Sequence, residues 1–253
     1  MNIITLTAAN LENEHICCAI ANNKDIQVAS KKAWLAQRLA DGLVFKKCDV
    51  RGKCFIEYIP GEKAWYPIEA EGYMHINCFW VSGQHKGQGY ANLLLQQCID
   101  DSKAQNRQGL TVISSKKKRP FLADPDYLKY RGFIVADSCA PFYQLLYLPF
   151  TPTAAPPHFK EHLKVQNSKS QLGFVLYYSD QCPFTAKYVP LLLEAAQTSA
   201  IDLKLIHLDS LVAAQNAPSP STAFSLFYNG EFITNEILTV NKFIDIVATF
   251  DAK

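Results

Sequence analysis

Phe79-Trp80-Val81-Ser82-Gly83-Gln84-His85-Lys86-Gly87-Gln88-Gly89-Tyr90-Ala91-Asn92-Leu93-Leu94-Leu95 is the stretch that decides the fold. An apolar run ends in a polar, glycine-bearing turn, and an amphipathic helical pattern follows at once. Gly87 and Gly89 let the backbone approach a ligand without a Cβ clash. N–H groups of the turn then point at one spot, where the helix N-terminus adds its partial positive charge. That combination is a pyrophosphate cradle.

Outward from this turn the pattern stays regular. Residues 3–7 read as a strand, and residues 12–20 and 30–40 as helices. Residues 44–50 and 54–58 read as a hairpin turning at Arg51-Gly52-Lys53. A strand over 73–81 feeds the glycine turn. The helix over 88–102 leaves it, with Leu93, Leu94, Gln97 and Cys98 at helical spacing. Residues 110–114 form a buried strand, 126–130 a short helix closed by Gly132, and 133–135 and 144–148 two further strands.

Gln84-x-x-Gly87-x-Gly89 and this element order resemble the GNAT acetyltransferases over about residues 3–148. The resemblance implies an α/β (α+β) fold, a mixed sheet with flanking helices, and acetyl-CoA as co-substrate. It implies that Gln84, His85, Lys86, Gly87, Gln88 and Gly89 hold the pyrophosphate, mainly through N–H groups. Phe79, Trp80 and Val81 then line the pantetheine arm along the strand edge, and Asn92 contacts CoA.

Thr151-Pro152-Thr153-Ala154-Ala155-Pro156-Pro157 marks a boundary, because three prolines in seven residues continue neither helix nor ladder. We expect an N-terminal domain over 1–150, a proline-rich and polar linker over 151–170, and a smaller domain over 171–253. The smaller domain reads strand (174–178), helix (185–197), strand (203–208), strand (223–228), hairpin turn at Asn229-Gly230, strand (231–234), helix (240–249). That order is thioredoxin-like. Cys182-Pro183-Phe184-Thr185 at the first strand-to-helix turn looks like the corner of glutaredoxins. This tail, with Phe227-Tyr228-Asn229-Gly230-Glu231-Phe232-Ile233-Thr234, makes the chain resemble the YoaP-like acetyltransferases over nearly its whole length.

Composition narrows the partners. Among 253 residues 49% are hydrophobic, enough for sizeable cores, and the net charge of +2 is too small to argue for nucleic acid or an anionic membrane. The run Lys116-Lys117-Lys118-Arg119 reads as a solvated loop, with a clamp on a CoA phosphate as its functional alternative. The start Met1-Asn2-Ile3-Ile4-Thr5 lacks a basic leader and reads as a strand, so the expected location is cytoplasmic. Eight scattered cysteines, with neither C-x-x-C pairs nor zinc spacing, read as reduced core residues and give no metal site.

Direct acetyl transfer to an amine needs the amine deprotonated, the thioester oxygen polarised and the departing thiolate protonated. In many GNAT enzymes the last role falls to a tyrosine four residues before the glycine of a Y-x-x-x-G-F segment. Here Tyr127-Leu128-Lys129-Tyr130-Arg131-Gly132-Phe133 puts Leu128 there. Of the flanking tyrosines, Tyr127 reads as a packing residue and Tyr130 as the candidate acid. Glu57 and His75 are candidate bases, and water is the alternative. Cys182, heading a helix, is expected to have a depressed pKa. Thr185 at the partner position excludes an intramolecular disulfide, and Pro218 or Pro220 would supply a cis-proline. The acceptor is then a small-molecule or peptide amine. Two other readings stay open: a non-catalytic CoA- or partner-binding protein, and a monothiol redox-linked protein acting through Cys182.

Overall fold

The structure, a computed structural model, describes residues 2–18, 22, 24–164 and 172–251. Strands of the first half are β1 (Ile3–Thr5), β2 (Val44–Cys48), β3 (Cys54–Pro60), β4 (Ile68–Glu69), β5 (Met74–Val81), β6 (Gly109–Ser115), β7 (Ile134–Cys139), β8 (Tyr143–Pro149) and β9 (His158–Phe159). Seven of them form one sheet in the order β1-β2-β3-β5-β6-β8-β7. The β5–β6 pair is parallel and the other pairs are antiparallel.

Alternation along β3 assigns the two faces. Phe55 and Ile59 face α1 (Ile26–Leu39), in a core with Val28, Trp34 and Leu35. Ile56 and Tyr58 face α2 (Tyr90–Ala104) and α3 (Pro125–Tyr130), in a core with Leu94, Leu95, Cys98 and Leu128. The capping of α1 and α3 follows from sequence. Asp25 accepts from the Gln27 N–H at 2.8 Å, and Asp124 accepts from the Asp126 N–H at 3.1 Å with Pro125 inside the first turn.

The second half holds β10 (Phe174–Tyr178), α4 (Pro183–Thr198), β11 (Leu203–His207), α5 (Leu211–Gln215), β12 (Phe224–Tyr228), β13 (Glu231–Thr234) and α6 (Val240–Asp251). Its sheet runs β11-β10-β12-β13, with β10–β11 parallel and the other two pairs antiparallel. Val189 and Leu192 of α4 and Phe243 and Val247 of α6 cover one face through Phe174, Leu176 and Leu226.

Three expectations need correction. Residues 12–18 form turns rather than a helix, and residues 19 and 20 lie outside the described residues. Ile16, Cys17 and Cys18 are all buried, and three consecutive inward side chains do not fit a helix with one apolar face. The proline-rich segment is not a free linker up to residue 164. It straps onto the first half, where β9 pairs with β4 and the Tyr73 hydroxyl donates to the Ala155 carbonyl at 2.7 Å. The rest of the expected linker, residues 165–170, lies outside the described residues.

Each half has a core of its own, but the two are not independent, because a third cluster is shared between them. Leu208, Ala214 and Ala217 join the cluster that contains Trp34, Phe45 and Trp65. The Thr222 hydroxyl donates to the Trp65 carbonyl at 2.6 Å, and Gln215 Nε2 donates to the Ala64 carbonyl at 3.1 Å. Among the described residues no helix is long and apolar enough to cross a membrane.

Candidate active site

Two strands that part company create the site. β5 and β6 pair from Met74↔Leu110 to Ile76↔Val112 and no further. β6 stays with β8 as far as Ser115↔Tyr143, while β5 stays with β3 as far as Val81↔Cys54. The sheet therefore opens between them, and the stretch of β5 from Asn77 to Val81 has no strand on its β6 side. At about 3.3 Å per residue that free edge is ~13 Å long.

A bulge at the start of the opening re-aims the side chains. Glu57 pairs with Cys78 but Tyr58 with Ile76, so Asn77 is the extra residue in β5. Before the bulge Met74 and Ile76 face α2; after it Phe79 and Val81 do. His75, Cys78 and Trp80 are thereby left on the α1 face, beside Glu57 and Phe55.

The glycine turn closes the far end of the opening. Gly83, Gly87 and Gly89 have φ of +61°, +75° and +83°, and a Cβ at any of them would meet open space. Gln88 Nε2 donates to the Gln84 carbonyl at 2.6 Å and braces the turn. Gly89 caps α2 with no side-chain acceptor, and the first turn of α2 has no acidic residue, so its N–H groups have no side-chain anion of the chain's own beside them. The N–H groups of His85 and Lys86 are spent inside the turn, on Ser82 and Gly83 carbonyls at 3.3 and 3.2 Å. The His85 ring is buried against Gly52, where a Cβ would come within 2.6 Å of its Nε2.

A cleft of about 1070 Å³ joins these parts. It runs past Gly87, Gly89 and Asn77 to Cys182, Phe184 and Thr222 of the second half. Its floor is an ion pair. Lys31 Nζ lies 2.6 Å from Glu57 Oε2, with both side chains at most 3% exposed. Burial works to lower the Lys31 pKa, yet Glu57 beside it holds the lysine above its ordinary value. Lys31 Nζ also donates to the Gln181 carbonyl at 2.7 Å, and Asn77 Nδ2 donates to Glu57 Oε1 at 3.1 Å.

A model of the GNAT acetyltransferase domain matches residues 67–138, the stretch that holds the opening, the turn and α3. The YoaP-like model matches residues 202–244. The N-acetyltransferase YoaP of Bacillus subtilis (strain 168), itself uncharacterised, is 40% identical over 250 residues, which is 98% of this chain and 99% of that one. The chain belongs to the GNAT N-acetyltransferases. Acetyl-CoA is the co-substrate of that family. Among solved structures, the putative acetyltransferase yncA of Salmonella typhimurium with acetyl-CoA is similar with a TM-score of 0.42 at 14% identity, covering 61% of this chain and 96% of that one. The GNAT protein YhbS of Escherichia coli in complex with CoA scores 0.39 at 12% identity, covering 65% and 92%.

The remaining expected residues of this GNAT site fall into two groups. Glu57 and Asn92 line the cleft, as do the edges of Phe79, Trp80 and Val81. Tyr130, His75 and Cys182 line it too, in settings that differ from expectation. Tyr130 ends α3 with 82% of its surface exposed, whereas Tyr127 lies half-buried against Phe79, ring centroids 5.6 Å apart. The Tyr127 hydroxyl donates to Asn92 Oδ1 at 3.2 Å, and burial pushes its pKa above the ordinary value. Leu128 faces the core. His75 is buried, its Nδ1 is 2.8 Å from the Thr111 hydroxyl, and burial pushes its pKa down to about 3, so the imidazole is neutral at pH 7. Cys182 is the N-cap residue of α4, but burial outweighs the helix terminus and pushes its thiol up to about 11. The cis peptide bond among the described residues is Ala140–Pro141, so neither Pro218 nor Pro220 fills the expected role.

Lys31, Asn77 and Gln181 were missed. Lys31 gave a signal: with Val28 and Leu35 it occupies the buried stripe of α1 at helical spacing, where a cation requires a partner.

Proposed function

We propose that this chain moves the acetyl group of acetyl-CoA directly to a primary amine, without an acyl-enzyme. The observation that carries this is the opening between β5 and β6 running straight into the glycine turn. The pyrophosphate sits at the free N–H groups around Gly87, Gly89 and the first turn of α2. Pantetheine takes the place of the absent strand along Asn77–Val81 and brings the thioester to the bulge.

The amine nitrogen attacks the thioester carbonyl carbon from the α1 face, and the C–S bond breaks. Glu57 orients the amine and accepts its proton as the C–N bond forms, when the nitrogen becomes strongly acidic. Tyr127, kept protonated by burial, donates to the leaving thiolate. Its ring lies on Phe79, on the side of β5 that faces α2. Tyr130 stands at the rim of the cleft with 82% of its surface exposed, so we move the acid role to Tyr127. We infer that the second half is a thioredoxin-like unit, supported by its strand order, and that it does no dithiol chemistry, since Thr185 stands where the second cysteine would be. Eight free cysteines suit a cytoplasmic location.

Calorimetry with acetyl-CoA tests the reading. Gly87→Glu and Gly89→Glu add a carboxylate to the cradle and strain a left-handed residue. Each is expected to weaken binding by at least ~10-fold, about 1.4 kcal/mol. Unchanged affinity in both variants overturns the assignment.

A further inference from the structure

The cleft has two sides, and the side facing α1 is built by both halves of the chain. Glu57, Cys78 and Trp80 project to that side from the sheet, and residues 181–184 and 220–223 of the second half line it from above. The polar groups here are short of donors. Asn77 Oδ1 and Gln181 Oε1 are buried and accept no hydrogen bond, and Glu57 Oε2 has Lys31 as its ionic partner and no further donor. Gln181 is also fixed in orientation. Its Nε2 donates to Ser179 Oγ at 3.1 Å and Thr222 Oγ1 at 2.8 Å, which leaves Oε1 as the free atom. Lys31 Nζ ties the groups together, with Glu57 on one side and the Gln181 main chain on the other.

Unpartnered acceptors want N–H groups, and a primary ammonium carries three donors and no acceptor. Beside this polar end, a pocket of about 270 Å³ lies between Trp80 and Phe121 of the first half and Phe184, Tyr188 and Ile237 of the second. Trp80, Phe121 and Phe184 line both cavities. Lys53 Nζ sits 3.8 Å from the Trp80 ring centroid and 5.5 Å from that of Phe184, which bridges the halves at this wall.

We propose that the second half completes the acceptor site, and that the acceptor is a compact primary amine with an apolar, ring-sized body. The acceptor oxygens of Glu57, Asn77 and Gln181 hold the ammonium, which gives its first proton to water before the amine attacks, and Trp80, Phe121 and Phe184 hold the body. This rests on the acetyl-transfer reading above. A lysine on a folded protein does not suit the site, because its main chain would need the space that residues 181–184 and 220–223 fill.

Calorimetry on the full chain saturated with CoA tests this. The probes are 2-phenylethylamine, spermidine, and a blocked fifteen-residue peptide with one internal lysine. 2-Phenylethylamine is expected to bind at least ~10-fold more tightly than the other two. Gln181→Met and Phe184→Ala should each weaken it by ~10-fold or more, with CoA affinity and the far-ultraviolet dichroism unchanged. If one variant fails to fold, the other decides. Tighter binding of the lysine peptide, variants without effect, or no amine binding to a CoA-saturated chain overturns the inference. Failure of CoA to bind would instead overturn the acetyl-transfer reading beneath it.

Discussion

Lys31 and Glu57 show how a single residue pair fixes the floor of the cleft. A buried ion pair with one member removed leaves an uncompensated charge, which typically costs about 3–5 kcal/mol. Lys31→Met, which keeps the stem length, should therefore lower unfolding free energy by roughly that amount in a denaturant titration. A loss below ~1 kcal/mol would mean that water screens the pair. Glu57 could be read from sequence, as a carboxylate inside a run of apolar strand residues. The acid could not. Tyr127 and Tyr130 sit either side of the expected position, and one residue of phase is about 100° on a helix. The start of α3 at Pro125 gives Leu128 to the core, turns Tyr127 onto Phe79 and sends Tyr130 outward. Tyr127→Phe should cut kcat by ~100-fold or more with little change in acetyl-CoA affinity, and Tyr130→Phe should change neither. The reverse pattern would return the role to Tyr130.

At the scale of elements, long segments with a clear period were legible and short ones were not. The strands beside the glycine turn and the helices α2, α4 and α6 lie within a few residues of expectation. β4 and β9 have two residues each, too few for any period, so the strap they form gave no sequence signal. The bulge at Asn77 was equally silent, since it shows only as a change of face along an unbroken apolar run. The N-terminus of α4 teaches a different lesson. Cys182 was correctly placed at a helix start, but a helix end favours the thiolate only where burial does not oppose it. Here the second half presses that end against Lys31 and the floor of the cleft. With its pKa raised to about 11, the thiol is neutral at pH 7–8. Residue-resolved iodoacetamide labelling of the native chain should be slow there and climb with pH toward an inflection near 11. An inflection below the usual cysteine value of about 8.5 would restore the reactive thiol.

The whole molecule is where sequence reading failed most, and for a physical reason. Proline-rich segments mark where secondary structure stops, but carry no information on what the flanking units do to each other. The first sheet presents Phe45 and Phe55 toward α1, and the turns of residues 16–18 complete that layer. The second half then adds Leu208, Ala214 and Ala217 to the same cluster, and Phe232 meets Tyr143 at 5.9 Å between ring centroids. Asn235 Nδ2 donates to the Pro120 carbonyl at 3.2 Å on the rim. Cutting the chain between the halves would bare apolar surface on both sides and leave Lys31 without the Gln181 carbonyl. Units that share a core lose each other's support when either opens, so they melt together. Differential scanning calorimetry of the full chain should accordingly give one transition, with the van't Hoff enthalpy close to the calorimetric one. CoA should raise the midpoint of that single transition, because it binds only the folded state. Two resolved transitions, with CoA moving one and leaving the other in place, would show that the halves fold independently.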